Sequence, residues 1–299
     1  MLACPRCQTP LGRCACRWPV TDGVPDLYLA APEQGEAPAV TAEVRDFYEA
    51  HPFPSYQAGD DLGALARRAS QNPLLRALDR EIPPGARVVE VGCGTGQLSL
   101  YLASGGRTVL GLDLSLASLR VAEAFRRQHR LESARFARAN LFRPPVLPGS
   151  VDLVIAQGVL HHTGAPQAAI PVLRDLLRPG GYLLVGLYNR WGRLLLPLLR
   201  RRHAAALGDA RGDAWYLDQH AHPVESRHTA DEVLGWLDRA GLDFVSCVPP
   251  LVPGVSTDAV FTPQPRGSRW LRWWTQLGWL GRAADGGLWI TVAQRRGAA

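Results

Sequence analysis

The segment Glu90-Val91-Gly92-Cys93-Gly94-Thr95-Gly96 is the strongest indication of fold class in this 299-residue chain. It follows an apolar run, residues 87–91, that is typical of a buried strand, and it precedes a helical stretch at residues 98–104. Glycines between a strand and a helix let the backbone turn sharply and come close to a ligand. The spacing G-x-G-x-G differs from the dinucleotide motif G-x-G-x-x-G, whose third glycine comes one residue later.

An acidic residue stands at the end of the next predicted strand. That strand covers residues 108–112, and Asp113 follows it directly. A carboxylate in this position can accept hydrogen bonds from both hydroxyls of a ribose. A glycine loop after one strand, with an acid after the next, therefore predicts a nucleoside-binding site.

Apolar runs alternate with helical stretches along much of the chain. Continuous apolar strands separated by amphipathic helices indicate a parallel sheet covered on both faces. The helix after Thr229 has the strongest start signal, because acidic residues fill its first turn and Gly241 follows its end. The further predicted strands are residues 151–156, 182–187, 244–248 and 288–292.

Four segments resemble motifs of the class I S-adenosylmethionine-dependent methyltransferases, and the resemblance covers about residues 87–187. It implies an α/β fold, a Rossmann-like doubly wound, mostly parallel seven-stranded sheet, with a small N-terminal ribbon and a helical lid. An oxidoreductase or another nucleotide-binding fold is the alternative. The four segments are residues 90–96, 111–115, 151–162 and 177–183.

The same resemblance implies S-adenosyl-L-methionine as the cofactor and assigns its contacts. Family members often carry Asp where this chain has Asn140, whose amide can still meet the adenine edge. The implied contacts are Gly92, Cys93, Gly94 and Gly96 at the amino acid part, with Glu90 near it, Asp113 and Leu114 at the ribose, Asn140 and Leu141 at the adenine, and Gln157 at the methionine end.

Methyl transfer needs an aligned acceptor and, where the acceptor has a proton to lose, a base. Loops at the carboxyl ends of the strands supply such groups in open α/β sheets. His161 and His162 follow the fourth strand of the motif set, and Tyr188 follows the fifth. Histidine is suited to accepting a proton near neutral pH. The alternative is a histidine that only holds its loop or packs under the cofactor.

Residues 190–228 form a predicted lid insertion over the acceptor. His220 and His222 are its catalytic candidates, and they predict a small-molecule acceptor in a closed pocket. Bound metal is an alternative for these histidines, with Asp218, Glu225 or His228 as further ligands. Trp215 and Tyr216 are predicted to form an apolar wall, and Arg190, Arg193 and Arg200–Arg202 border the lid as cations for an anionic acceptor.

Four cysteines crowd into the first 16 residues, as C-x2-C and C-x-C. This pattern indicates a zinc ribbon with a structural zinc ion, or a degenerate ribbon that keeps its shape without metal. The predicted domains are a ribbon-like segment at 1–30, a linker and helical cap at 31–80, and a methyltransferase domain at 81–299, with a Trp-rich insertion at 249–285. The candidate metal ligands are Cys4, Cys7, Cys14 and Cys16.

Five of the nine tryptophans lie between Trp270 and Trp289. Trp270, Trp273, Trp274 and Leu277 recur at helical spacing beside arginines, which predicts an apolar stripe. Packing of this stripe against the core is the favoured interpretation. A wall for an apolar acceptor and a peripheral membrane contact are the alternatives.

All 33 Lys-plus-Arg residues are arginine, which excludes mechanisms that need a lysine amine. The net charge of +6 is spread along the chain rather than gathered in one stripe, so nucleic-acid binding is disfavoured. Apolar runs are too short for a spanning helix, and the cysteine usage favours a cytoplasmic location. Two rival functions remain open: an RNA- or protein-modifying methyltransferase, and a non-catalytic cofactor-binding module. The acceptor atom and the oligomeric state stay undetermined.

Overall fold

The computed structural model describes residues 1–32, 37–198, 210–281 and 287–297. The described strands are β1 (Val20–Thr21), β2 (Val24–Pro25), β3 (Arg87–Val91), β4 (Thr108–Asp113), β5 (Ala134–Arg138), β6 (Val151–Gln157), β7 (Leu177–Tyr188), β8 (Leu242–Val248) and β9 (Leu288–Arg295). The described helices are α1 (Pro38–Ala50), α2 (Leu62–Gln71), α3 (Pro73–Glu81), α4 (Gln97–Ser104), α5 (Leu116–Gln128), α6 (Pro166–Leu176), α7 (Ala210–His220), α8 (Ala230–Arg239) and α9 (Arg269–Gly278).

Seven strands form one sheet in the order β5-β4-β3-β6-β7-β9-β8. Strands β3 to β7 run parallel to one another, and β9 lies antiparallel between β7 and β8. The predicted doubly wound, mostly parallel sheet is thereby confirmed. In the sheet, β4 lies on one side of β3 and β6 lies on the other. The connections that follow β3 and precede β6 therefore run to opposite sides, and a crevice opens between the carboxyl ends of these two strands.

Local sequence signals explain where several helices begin and end. The predicted start of α8 is confirmed by a capping box, in which Thr229 and Glu232 exchange side-chain and backbone hydrogen bonds. Helix α1 begins at Pro38, since proline fits the first turn of a helix. Residues 62–81 form two helices, because Asn72 caps α3 and Pro73 cannot continue α2.

The cysteine-containing N-terminal segment packs along β5, the outer strand of the sheet. The amide of Leu27 donates to the carbonyl of Arg138 at 2.9 Å, and an ion pair of 2.9 Å joins Asp26 to the Arg138 side chain. The amide of Ala3 donates to Pro145 at 2.8 Å. These contacts cover an edge that would otherwise present unpaired backbone groups to solvent.

The tryptophan stripe does not pack as predicted. On α9, Trp270 is 77% exposed and Trp274 63% exposed, and the one buried residue of that helix is Gln276. The expectation of core packing is therefore wrong for this stripe. Gln276 is buried because its side-chain oxygen accepts hydrogen bonds from Asn189 and from the amide of Ala230, which turns the polar face of α9 inward.

Among the described residues, no helix has the length and the apolar character needed to cross a membrane. The predicted Arg200–Arg202 cluster and the middle of the lid insertion, residues 199–209, lie outside the described residues, as do residues 282–286. The division of the chain at residues 30 and 80, with insertions at 190–228 and 249–285, stays a prediction.

Candidate active site

A cavity of about 460 Å³ opens at the carboxyl ends of β3, β4, β6 and β7. Nine of the ten residues predicted to contact the cofactor line it, namely Glu90, Gly92, Cys93, Gly94, Asp113, Leu114, Asn140, Leu141 and Gln157. Gly96 lies outside the lining. It precedes α4 with a φ of +77°, and a β-carbon there would lie 2.8 Å from the Phe136 ring, so close packing explains this glycine.

The glycine loop is covered by the segment that follows α1. A β-carbon on Gly94 would lie 1.9 Å from the carbonyl oxygen of Phe53, and Gly94 has a φ of +52°. The amide of Thr95 donates to that same carbonyl at 3.2 Å. Gly94 therefore permits this segment to lie directly on the loop, and Phe53 and Pro54 line the cavity.

Two carboxylates stand on the cavity wall beside the loop. Asp113 accepts hydrogen bonds from the amide of Gly94 at 2.7 Å and from the amide of Ser115 at 2.8 Å, which fixes its orientation. Glu90 is buried and accepts a hydrogen bond from the hydroxyl of Ser99 at 2.5 Å. Burial raises the pKa of Glu90 to about 8, despite the lowering effect of Ser99.

Asn140, another residue of the cavity lining, offers a donor. Its Oδ1 accepts a hydrogen bond from the amide of Phe142 at 2.9 Å. Its Nδ2 is buried without a hydrogen-bond partner among the described residues. Because buried amide donors are nearly always satisfied, this group fits a ligand that carries acceptor atoms.

A polar cluster of four side chains, Tyr48, Tyr188, Asp218 and Gln219, lines the same cavity. The hydroxyl of Tyr48 donates to Asp218 Oδ1 at 2.8 Å, and Gln219 Nε2 donates to Asp218 Oδ2 at 3.0 Å and to the Tyr188 hydroxyl at 2.9 Å. Burial raises the pKa of Asp218 above its ordinary value, although Tyr48 opposes the shift. Sequence reasoning missed Tyr48, since no motif marks it and only the packing of α1 brings it here.

His162 lies beside this cluster, in the turn that follows β6. Its Nδ1 is 2.8 Å from the carbonyl oxygen of Val224. A carbonyl oxygen only accepts, so we assign the proton of the neutral ring to Nδ1 and the lone pair to Nε2. Nε2 has no hydrogen-bond partner among the described residues, and Asp218 Oδ1 is 3.9 Å away. Burial lowers the pKa of His162 to about 4.

The structure separates the five predicted catalytic residues. His162 and Tyr188 line the cavity, whereas His161, His220 and His222 do not. His161 is fully buried behind the wall, with its ring 3.6 Å from that of Tyr188. His222 stacks on the outer face of the His162 ring at 3.6 Å, and with His220 it borders a second cavity of about 520 Å³.

Two arginines bear on the cavity in different ways. Arg193, predicted to grip an anionic acceptor, is fully buried, pairs with Glu225 at 2.5 Å and lies 3.5 Å above the Tyr188 ring. It therefore holds the wall together. Arg68, which sequence reasoning missed, is the only arginine among the described residues of the lining. Its Nη1 binds Asp60 at 2.9 Å, and its Nη2 is buried without a partner among the described residues.

The four N-terminal cysteines converge on one point. Their sulfur atoms all lie within 4.8 Å of one another, and Cys7 and Cys14 are 3.3 Å apart. A tetrahedral zinc with Zn–S bonds of about 2.3 Å needs sulfurs about 3.8 Å apart, so the set fits this metal after small shifts. Among the described residues, this is the one group of three or more potential ligands close enough for a metal, so the histidines of the predicted lid form no such group.

Residues 89–185 match the family model described as a methyltransferase domain. A ubiquinone biosynthesis O-methyltransferase of Cupriavidus pinatubonensis is 33% identical over 165 residues, which cover 54% of this chain and 61% of that protein. The chain spans between 46% and 62% of the length of the curated relatives that it matches.

Two solved structures show the same fold. A chain from a Haloferax volcanii complex that contains the Trm112 methyltransferase activator has a TM-score of 0.56 at 19% identity, covering 86% of this chain and 99% of its own. Magnesium protoporphyrin IX methyltransferase from Synechocystis PCC 6803, with bound SAH, has a TM-score of 0.51 at 18% identity, with coverage of 86% and 99%. Together with the matched domain, these likenesses show that the chain contains a methyltransferase domain and has the fold of the class I S-adenosylmethionine-dependent methyltransferases.

Proposed function

We propose that this chain transfers a methyl group from S-adenosyl-L-methionine to a small-molecule acceptor that gives up a proton to His162. The observation that carries the proposal is one cavity that is lined both by Asp113 and Asn140 and by His162 and Asp218. We assign the first pair to the cofactor end and the second pair to the acceptor end. The likeness to a ubiquinone biosynthesis O-methyltransferase supports a small-molecule acceptor.

The residues of the first end match the chemistry of the cofactor. Asp113 would accept hydrogen bonds from the ribose hydroxyls, and the free Nδ2 of Asn140 would donate to the adenine edge. Glu90 would bind the ammonium group, and the free Nη2 of Arg68 would bind the carboxylate, so both charges of the amino acid part meet an opposite charge. The bound cofactor supplies a methyl group on a sulfonium leaving group.

The residues of the second end would bind the acceptor and move its proton. Asp218, held by Tyr48 and Gln219, would accept a hydrogen bond from the acceptor and orient it. The lone pair on His162 Nε2 would take the proton from the attacking atom, since Nδ1–H is committed to Val224. His222 would hold the His162 ring from outside the cavity, and His220 belongs to the lid without reaching the acceptor.

Cofactor binding can be tested by calorimetry with S-adenosylhomocysteine. We expect the wild-type chain to bind and Asp113→Ala to weaken binding about 10- to 100-fold, the range for hydrogen bonds to a charged group. Asp243→Ala removes an exposed carboxylate of β8 and is the matched control. Absence of binding by the wild-type chain, or equal affinity for the two variants, would contradict the proposal.

The acceptor class can be tested with cofactor that carries a tritiated methyl group. Label should enter a small-molecule extract and not the tRNA or protein fraction of the same cells. Label in tRNA or protein would favour a macromolecular acceptor, and cofactor binding without any labelled product would favour a non-catalytic module.

We further propose that Cys4, Cys7, Cys14 and Cys16 hold a structural zinc ion. A closed set of four thiolates leaves no open position for catalysis, so the metal would stabilise the segment that covers β5. Elemental analysis should give one zinc per chain, and Cys14→Ser should lower both the zinc content and the melting temperature. Cys247→Ser, a buried cysteine outside the cluster, should leave the zinc content unchanged.

A further inference from the structure

The exposed apolar side chains of this protein are concentrated in two segments, residues 189–198 and residues 268–278. Among the described residues, eight large apolar side chains are exposed. Two of them, Val20 and Val121, lie far from both segments in the sequence. The other six are Leu194, Leu195, Leu198, Trp270, Trp273 and Trp274, and we call them the Trp-Leu surface.

One residue ties the two segments together. Asn189 Oδ1 accepts hydrogen bonds from the amides of Trp191 and Gly192, at the start of the leucine segment, at 3.0 and 3.1 Å. Its Nδ2 donates to Gln276 on α9 at 3.0 Å. Asn189 is buried and directly follows Tyr188, a residue of the cavity wall. The Trp-Leu surface is therefore anchored to the acceptor end of the candidate active site.

The charge of these segments has one sign. Residues 189–198 and 268–278 contain four arginines and no Asp or Glu. Arg190, Arg193 and Arg272 pair with acids of neighbouring segments. Arg269, at the start of α9, is exposed and forms no ion pair among the described residues. A free positive charge beside exposed indoles complements a negatively charged surface.

From this combination we propose that the Trp-Leu surface docks the protein on an anionic lipid bilayer. Indole rings combine a large apolar body with one N–H donor, and such side chains concentrate at the headgroup level of membranes. Helix α9 has ten residues, so it lies in the plane of the interface with its tryptophans toward the acyl chains and Arg269 at the lipid phosphates. The core of the protein stays outside the bilayer.

Sedimentation with vesicles tests this directly. Vesicles of phosphatidylcholine with 30% phosphatidylglycerol are compared with vesicles of phosphatidylcholine alone, at low and at high salt. The wild-type chain should pellet with the anionic vesicles, more weakly at high salt. The double variant W270A/W274A should bind the anionic vesicles at least ten-fold more weakly than the wild-type chain. Arg269→Gln should lose the preference for anionic vesicles over vesicles of phosphatidylcholine alone. Val121→Ala changes an exposed apolar side chain elsewhere and should bind like wild type.

Two further measurements keep the result unambiguous. S-adenosylhomocysteine affinity of W270A/W274A should equal that of the wild type, which shows that the variant is folded and separates this proposal from the proposed function. Light scattering gives the oligomeric state without lipid. Failure of the wild-type chain to pellet, or unchanged pelleting of W270A/W274A, would overturn the proposal. A wild-type dimer that W270A/W274A converts to a monomer would do the same, since a second copy would then cover the surface.

Discussion

The carbonyl oxygen of Val224 lies 2.8 Å from Nδ1 of His162. This contact joins the turn after β6 to a segment 62 residues later in the chain, and it decides which ring nitrogen carries the proton. Because Nδ1 donates to Val224, Nε2 keeps its lone pair. Burial lowers the pKa of His162 to about 4, so the ring is neutral near pH 7 and this lone pair carries no proton.

His162→Gln should lower kcat about 100-fold or more, the range for loss of a positioned base. S-adenosylhomocysteine affinity should change less than two-fold, because His162 acts at the acceptor end. Methyl transfer to the acceptor identified by tritium labelling measures the effect, with the exposed His51→Gln as control. Wild-type kcat in His162→Gln would exclude this role.

Cofactor binding should release a proton from Glu90. Burial raises the pKa of this carboxyl to about 8, so most molecules carry it protonated at pH 7, and a bound ammonium group favours the ionised form. Affinity for S-adenosylhomocysteine should therefore rise from pH 6 to pH 8. Calorimetry at pH 7 in phosphate and in Tris buffer should give different heats.

In Glu90→Gln the heats in the two buffers should converge. The Glu90 carboxyl also makes the free energy of unfolding of the ligand-free protein depend on pH. A raised folded pKa contributes stability that is fully present below the ordinary value of 4.5 and is lost as the pH rises toward 8. Equal heats in both buffers for the wild-type chain would show that Glu90 is already ionised.

Arg68→Met should weaken binding of S-adenosylhomocysteine about ten-fold or more, because the carboxylate of the ligand loses a charged partner. Binding of 5′-methylthioadenosine, which lacks the amino acid part, should not change. The neighbouring exposed Arg67→Met is the matched control. If Arg68→Met weakened both ligands equally, the guanidinium would instead be supporting the cavity wall.

His161→Phe should make the protein less sensitive to acid. Burial lowers the pKa of His161 well below its ordinary value of 6.5, so the unfolded chain binds a proton that the folded chain does not. A lowered folded pKa contributes stability that is present above pH 6.5 and is lost as the pH falls. Between pH 7 and pH 5, the free energy of unfolding measured with urea should fall by about 2 kcal/mol less in the variant than in the wild-type chain.

The Phe ring can keep the stacking contact with Tyr188 and removes two ring nitrogens that have no partner among the described residues. Stability at pH 7 should therefore stay near that of the wild-type chain. His51→Gln, at an exposed position, should retain the full acid sensitivity. An identical pH slope for His161→Phe would mean that His161 is protonated inside the fold.

Features that depend on neighbours along the chain could be predicted from the amino-acid sequence. Local residue types predict the periodicity of strands and helices and the glycine turn before α4. They also predict Asp113 at the end of β4 and the capping box at Thr229. The topology was implied by the resemblance to the class I methyltransferases. Parallel strands bring their carboxyl ends to one edge, which places Asp113 beside the glycine loop.

Contacts between residues far apart in the chain depend on the tertiary packing and could not be predicted in this way. Tyr48 meets Asp218 across 170 residues, and Arg68 enters the cavity because α2 packs near it. Helical spacing predicted an apolar stripe on α9 but not its direction, which Gln276 decides by binding Asn189. Periodicity shows that a helix has two faces, and the hydrogen bonds and space available in the folded chain determine which face is buried.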